Sequence, residues 1–134
     1  MRITAALASG ALAFALSLAG GILIGQDAVV RPLLSKGLAG DSAREVSMIT
    51  VEYPPGGSDP VHRHHAQALV FVLEGSIVMQ VRGGAPVTLT PGQTFYEGPD
   101  DVLIVGRNAS RTAPARLLVF LVKEKGAPIL TPVD

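Results

Sequence analysis

Cysteine is absent from the chain. That excludes disulfides, thiolate metal ligands and cysteine nucleophiles. Tryptophan is absent too, and charged residues make up only 16% of the sequence. Eleven basic side chains cancel eleven acidic ones, so no patch of one sign points to nucleic acid. Helical periodicity is missing as well: no segment after residue 45 keeps it over a useful length. What remains is an apolar chain of 134 residues with 15 glycines and 10 prolines, a length that suits one domain.

The first segment, MRITAALASGALAFALSLAGGILIGQ, carries one charge, Arg2, before Asp27. A basic start followed by an Ala/Leu/Gly run has the form of an export signal, and Ser17-Leu18-Ala19 offers a cleavage point. The run continues through Ile22, Leu23 and Ile24, close to the ~20 apolar residues of a membrane span. An uncleaved anchor over residues 3–24 is therefore the alternative. Either way, residues 1–26 are expected to be a hydrophobic helix, and the rest of the chain to be exported to the periplasm or cell envelope. The membrane is met only through this segment. Residues 27–44 read as a linker or N-terminal extension, with Leu33-Leu34 packing on the domain.

Strand signals then follow at short spacing. They cover residues 45–53, 68–75, 76–81, 87–90, 93–97, 101–106 and 115–123. Pro54-Pro55-Gly56-Gly57, Arg82-Gly83-Gly84-Ala85-Pro86 and Pro91-Gly92 supply the turns between them. Many short strands with such turns predict a sandwich or closed barrel. Alternation places Ile77, Met79 and Val81 on one face, whereas LVFVL and LLVFLV are apolar on both. Strands apolar on both sides need a cover outside as well as a core, and a second subunit is the economical one, so a homodimer is expected.

All three histidines fall within four positions, His62, His64 and His65. Residues two apart on a strand face the same way, so His62 and His64 can address one ion while Arg63 points outward. His65 faces away by the same parity. Asn108 reads as a turn-tying residue, and Asn108-Ala109-Ser110 also matches a glycosylation acceptor.

With Gly57, His62, His64 and the FVLEG strand ending at Gly75, followed by Pro91-Gly92, Pro99 and Asn108, the chain resembles the cupin superfamily. The resemblance covers roughly residues 45–133 and looks closest to small, single-domain, exported cupins. It implies an all-β double-stranded β-helix, the small jelly-roll barrel, over residues 45–134. It also implies a divalent transition metal (iron, manganese, nickel, copper or zinc) held by histidines with a further carboxylate or histidine. At the place for a third ligand this chain offers Gln67 or Ala68, and at the fourth Leu103, which cannot coordinate. The candidate metal set is thus His62, His64 and Gln67. Glu97, Asp100 and Asp101 are further oxygen donors that no spacing favours.

Two functional readings follow from the resemblance. One is a metal-dependent oxygenase or isomerase acting on a small molecule. The other is a non-catalytic cupin that binds a small molecule after losing efficient metal binding. No catalytic base is assigned, and whether the protein is an enzyme stays open on the sequence.

Overall fold

The computed structural model describes residues 22–24 and 28–134. Every regular element among them is a strand: β1 (Ile22–Ile24), β2 (Ala28–Leu38), β3 (Asp41–Tyr53), β4 (His62–Arg63), β5 (Ala66–Glu74), β6 (Ile77–Val81), β7 (Val87–Leu89), β8 (Thr94–Glu97), β9 (Leu103–Asn108), β10 (Ala115–Glu124) and β11 (Thr131–Pro132). They form two antiparallel sheets, ordered β1-β2-β3-β10-β5-β8 and β11-β4-β9-β6-β7. This is the all-β, two-sheet jelly-roll arrangement expected from the sequence.

Strict alternation builds the core. In β5, Ala66, Ala68, Val70 and Val72 are buried, and in β10, Ala115, Leu117, Val119, Leu121 and Lys123 are. All but Lys123 join Ile77, Met79, Leu89 and Leu103 of the second sheet in one cluster. Each fully buried valine, leucine, isoleucine or methionine side chain in this cluster contributes roughly 1.5–3 kcal/mol. Glycines close the turns where the backbone needs positive φ; at Gly75 (φ 73°) a Cβ would also meet the Pro114 carbonyl oxygen at 2.5 Å.

The N-terminal half of the barrel differs from the sequence expectation. Residues 28–44 are not a linker: β2 and the start of β3 form a hairpin turned at Gly40 (φ 82°) that extends the first sheet. Valine-rich Ala28–Val30 pairs with β3 and buries Ala28 and Val30, which outweighs the loop character of the later residues. Pro32, which lacks a donor, coincides with a register break that leaves Leu33 as an extra residue. Leu33 and Leu34 remain exposed rather than packed on the domain. The helix expected over residues 1–26 lies outside the described residues except for Ile22–Ile24, which pair as a strand with β2 instead. No helix among the described residues is long and apolar enough to cross a membrane.

The outer face of the first sheet is apolar in register. Tyr96, Leu69, Phe120, Met48 and Leu34 lie side by side across five strands. Tyr96 and Leu69 are about half exposed, at 54% and 48%.

Candidate metal centre

The chain crosses from the second sheet to the first at His65, the one described non-glycine residue with positive φ (49°). The left-handed conformation breaks β4 from β5 without breaking parity, so positions 62, 64, 66, 68, 70 and 72 all point inward. His62 and His64 are buried at 2% and 8% exposure. His65 is exposed, and so is Gln67, which belongs to the outward set.

Backbone carbonyls fix both histidine tautomers. His62 Nδ1 lies 2.8 Å from the Pro60 oxygen, and His64 Nδ1 lies 2.6 Å from the Ile129 oxygen. A carbonyl only accepts, so each Nδ1 carries the proton and each Nε2 is left as a bare lone pair. The two Nε2 atoms face one another at 3.2 Å. Burial lowers the pKa of both rings, that of His64 to about 4, so neither supplies a proton between them at neutral pH. Two acceptors brought this close call for an electrophile. With metal–nitrogen bonds of about 2.1 Å, a 3.2 Å separation corresponds to an N–metal–N angle of roughly 100°.

Glu97 is the third residue that could donate to a metal here. Its Oε1 lies 3.7 Å from His64 Nε2, too far for a hydrogen bond, and is buried with no partner. Ligand atoms of His62, His64 and Glu97 all lie within 4.8 Å of one another. Burial pushes the Glu97 carboxyl up to about 8, helped by the charges of Asp59 and Asp101. An orphaned buried carboxylate oxygen beside two bare imidazole nitrogens fits a divalent transition metal, an N₂O set of the kind that iron, zinc, nickel, copper and manganese sites draw on.

Gln67, expected in the donor set, thus lies on the outer face, and Glu97 stands beside the histidines instead. The register explains the exchange: Ala68, fully buried, sits directly across the ladder from Glu97. The sequence position at which the family resemblance places a carboxylate holds a methyl group, and the neighbouring strand fills the space with a carboxylate. Parity alone could have placed Gln67 outside; the pairing of residues 68 and 97 is not encoded in any spacing. Leu103 lies across from His62, buried, and makes the fourth wall apolar. Asp100 and Asp101 stay outside the donor group; the Asp101 carboxylate caps the Gly98 amide at 2.7 Å.

A second acid was not anticipated. Tyr53 OH donates to Asp59 Oδ2 at 2.6 Å, while Asp59 Oδ1 is buried without a partner. Both residues line the same cavity as the histidines and Glu97. Burial raises Asp59 to about 7, against the opposing Tyr53 hydrogen bond. Gly106 makes room for this carboxylate, since a Cβ there would lie 2.5 Å from Oδ2. Only about 20 Å³ of the cavity is open to the centre of a water molecule, room for an ion or one water. Asn108 is buried and ties the barrel end, donating to the carbonyls of Pro54 and Ala113 and accepting from Ser110 N–H.

The sequence model of a family described as Cupin domain matches residues 49–121. No curated protein matches the chain. Among solved structures, an RmlC-like cupin from Shewanella frigidimarina superposes with a TM-score of 0.60 at 19% identity, over 79% of this chain and 85% of that one. The polyketide cyclase RemF from Streptomyces resistomycificus gives 0.61 at 22%, over 86% and 74%. The DMSP lyase DddQ from Ruegeria pomeroyi gives 0.58 at 19%, over 77% of this chain but 52% of that protein. At these identities the likeness is one of fold.

Proposed function

The chain belongs to the cupin family, and on that premise we propose that it is a divalent-metal-dependent enzyme of the oxygenase, isomerase or lyase type acting on a small molecule. The observation that supports this most is the pair of bare Nε2 atoms facing each other beside the orphaned Glu97 oxygen. His62, His64 and Glu97 would hold the ion, which when bound supplies Lewis acidity toward a substrate oxygen. The other residues divide the remaining work. Asp59 Oδ1 is the free atom that holds or accepts a proton, and Tyr53 keeps Oδ2 occupied so that Oδ1 faces the cavity. Leu103, Val70 and Met79 exclude water. The reading as a metal-free binding module is less well supported, because it leaves the two facing Nε2 atoms and the orphaned Glu97 oxygen without a partner.

The test is metal content of the purified full chain. Stoichiometric metal in the natural protein and in Gln67→Ala, with loss in His62→Ala/His64→Ala and in Glu97→Gln, is the expected result. A metal-free natural protein that stays empty after equilibration with each candidate ion would refute the reading.

We also propose export through residues 1–26, checked by cell fractionation and N-terminal sequencing. The apolar outer row centred on Leu69 and Phe120 is read as a homodimer face. Ion pairs Arg31–Glu52 and Arg116–Glu74 lie on the same sheet and leave no net charge to oppose self-association. Phe120→Glu should halve the mass measured by light scattering; an unchanged mass would remove this assignment.

A further inference from the structure

The wall of the cavity opposite the core is made by the segment that follows β10. Ile129 and Leu130 line it, and the Ile129 carbonyl holds His64 Nδ1. Beyond them, Thr131 and Pro132 pair with Arg63 and His62, and Val133 N–H donates to the Val61 carbonyl. β11 is the edge of its sheet among the described residues. The strap lies at a sheet edge and is half-exposed along its length, two features of a segment that opens locally before the barrel does.

Its near end is pinned from inside the fold. Lys123 points inward at 4% side-chain exposure and pairs with Glu45 of β3. Its ammonium also donates to the Ala127 carbonyl at 2.7 Å. Ala127 N–H closes the turn on Glu124 O, and Lys125 N–H reaches Ala43 O. A buried lysine is costly unless paired, yet this one lies outside the metal centre, with its second contact on the turn that sets the strap's direction. Two residues past that turn lies the carbonyl that orients His64.

We infer that residues 125–133 form a strap that gates the metal centre, and that Glu45 and Lys123 are positioning residues acting on His64 through it. The inference rests on the metal reading above. With the strap down, the cavity takes an ion and little else, and His64 is held with Nε2 inward. With the strap lifted, the cavity opens and His64 loses the acceptor that fixes its tautomer. Admission of a ligand larger than water and the geometry of one metal donor are therefore coupled through a single segment. Hydrogen-bond partners of metal-bound histidines typically change metal affinity by about 10–100-fold when lost, which sets the size of effect to look for.

The absence of native cysteine allows a reversible test in the full chain. Thr131 and Arg63 are ladder partners, so Arg63→Cys/Thr131→Cys can lock the strap by oxidation and free it by reduction. The probe is cobalt(II), and the readout is its rate of release to EDTA. The oxidised form should release cobalt about tenfold more slowly than the same protein reduced, and Lys123→Met about tenfold faster than the natural chain, with Lys123→Arg in between. Equal rates in the oxidised and reduced forms would overturn the gate, and a natural release rate in Lys123→Met would overturn the positioning role. If cobalt does not bind, the metal reading fails, and the strap is judged in metal-free protein by NMR of the imidazole nitrogens. A His64 ring protonated at Nδ1 in the natural chain and in the oxidised variant, but mixed between tautomers in Lys123→Met, would sustain it. An identical ring in all three would refute it.

Discussion

Raising the pH from 6.5 to 8 should destabilise the metal-free protein by about 1–2 kcal/mol net, the opposite of the common trend for acids in salt bridges. Asp59 is raised from 3.8 to about 7 and Glu97 from 4.5 to about 8, both chiefly by burial. In this window the native state holds protons that the unfolded chain has released, so stability falls as pH rises. His62 and His64 are lowered by burial and act with the opposite sign: half protonated at pH 6.5 in the unfolded chain, they offset the fall by a little under about 1 kcal/mol, mostly below pH 7.5. Roughly two protons are at stake up to pH 7 and one from there to pH 8, at about 1.36 kcal/mol per proton per pH unit. The assay is urea unfolding of EDTA-treated full chain at half-unit pH steps. Glu97→Gln should abolish the fall above pH 7 and Asp59→Asn the extra steepness below it. Saturating metal should also flatten the upper part, because the ion takes the place of the Glu97 proton. A flat or rising profile for the metal-free protein would refute the assignment of both carboxyls as buried and uncompensated.

Two substitutions test the geometry of the site, and a third tests a turn of the barrel. Leu103→His places an imidazole across from His62; it should cost the metal-free protein about 1–3 kcal/mol as a buried polar group without a partner and tighten metal retention in a competition assay. Gly106→Ala drives a methyl to 2.5 Å from Asp59 Oδ2 and 2.9 Å from a Leu103 methyl, while the Asp59 amide is tied to the Gly106 carbonyl at 2.8 Å. A loss of about 1–3 kcal/mol in thermal or urea unfolding is expected, with the Tyr53 hydrogen bond broken. Gly75→Ala combines positive φ with a clash on the Pro114 carbonyl oxygen and should destabilise by at least about 1 kcal/mol.

The strands and turns after residue 45 were legible because alternation and Gly/Pro punctuation are local signals, and β5, β6 and β10 sit where those signals put them. His62 and His64 were legible for the same reason, since parity on one strand is a short-range property. Glu97 was not, because its place beside them depends on the register of β5 against β8, a tertiary fact. Gln67 was misplaced although parity with His64 excluded it. The hairpin of residues 28–44 was missed because Pro32, Gly37 and Gly40 read as loop residues, while the pairing with β3 supplies hydrogen bonds that propensity does not count.

The closures around the metal centre join residues far apart in the chain: His64 meets Ile129 across 65 positions, and Glu45 meets Lys123 across 78. Such contacts form only after the loops between them have closed, and barrels built this way fold slowly, in milliseconds to seconds. β11 has only the two-residue β4 to pair with, and β4 in turn rests on β9. The donor set is thus completed late on the folding path, and an ion that binds it stabilises the native state without assisting the transition state. Refolding rates should be the same with and without metal, while unfolding slows by the full factor by which metal stabilises the protein. Metal binding here acts as a kinetic latch on a barrel that has already formed.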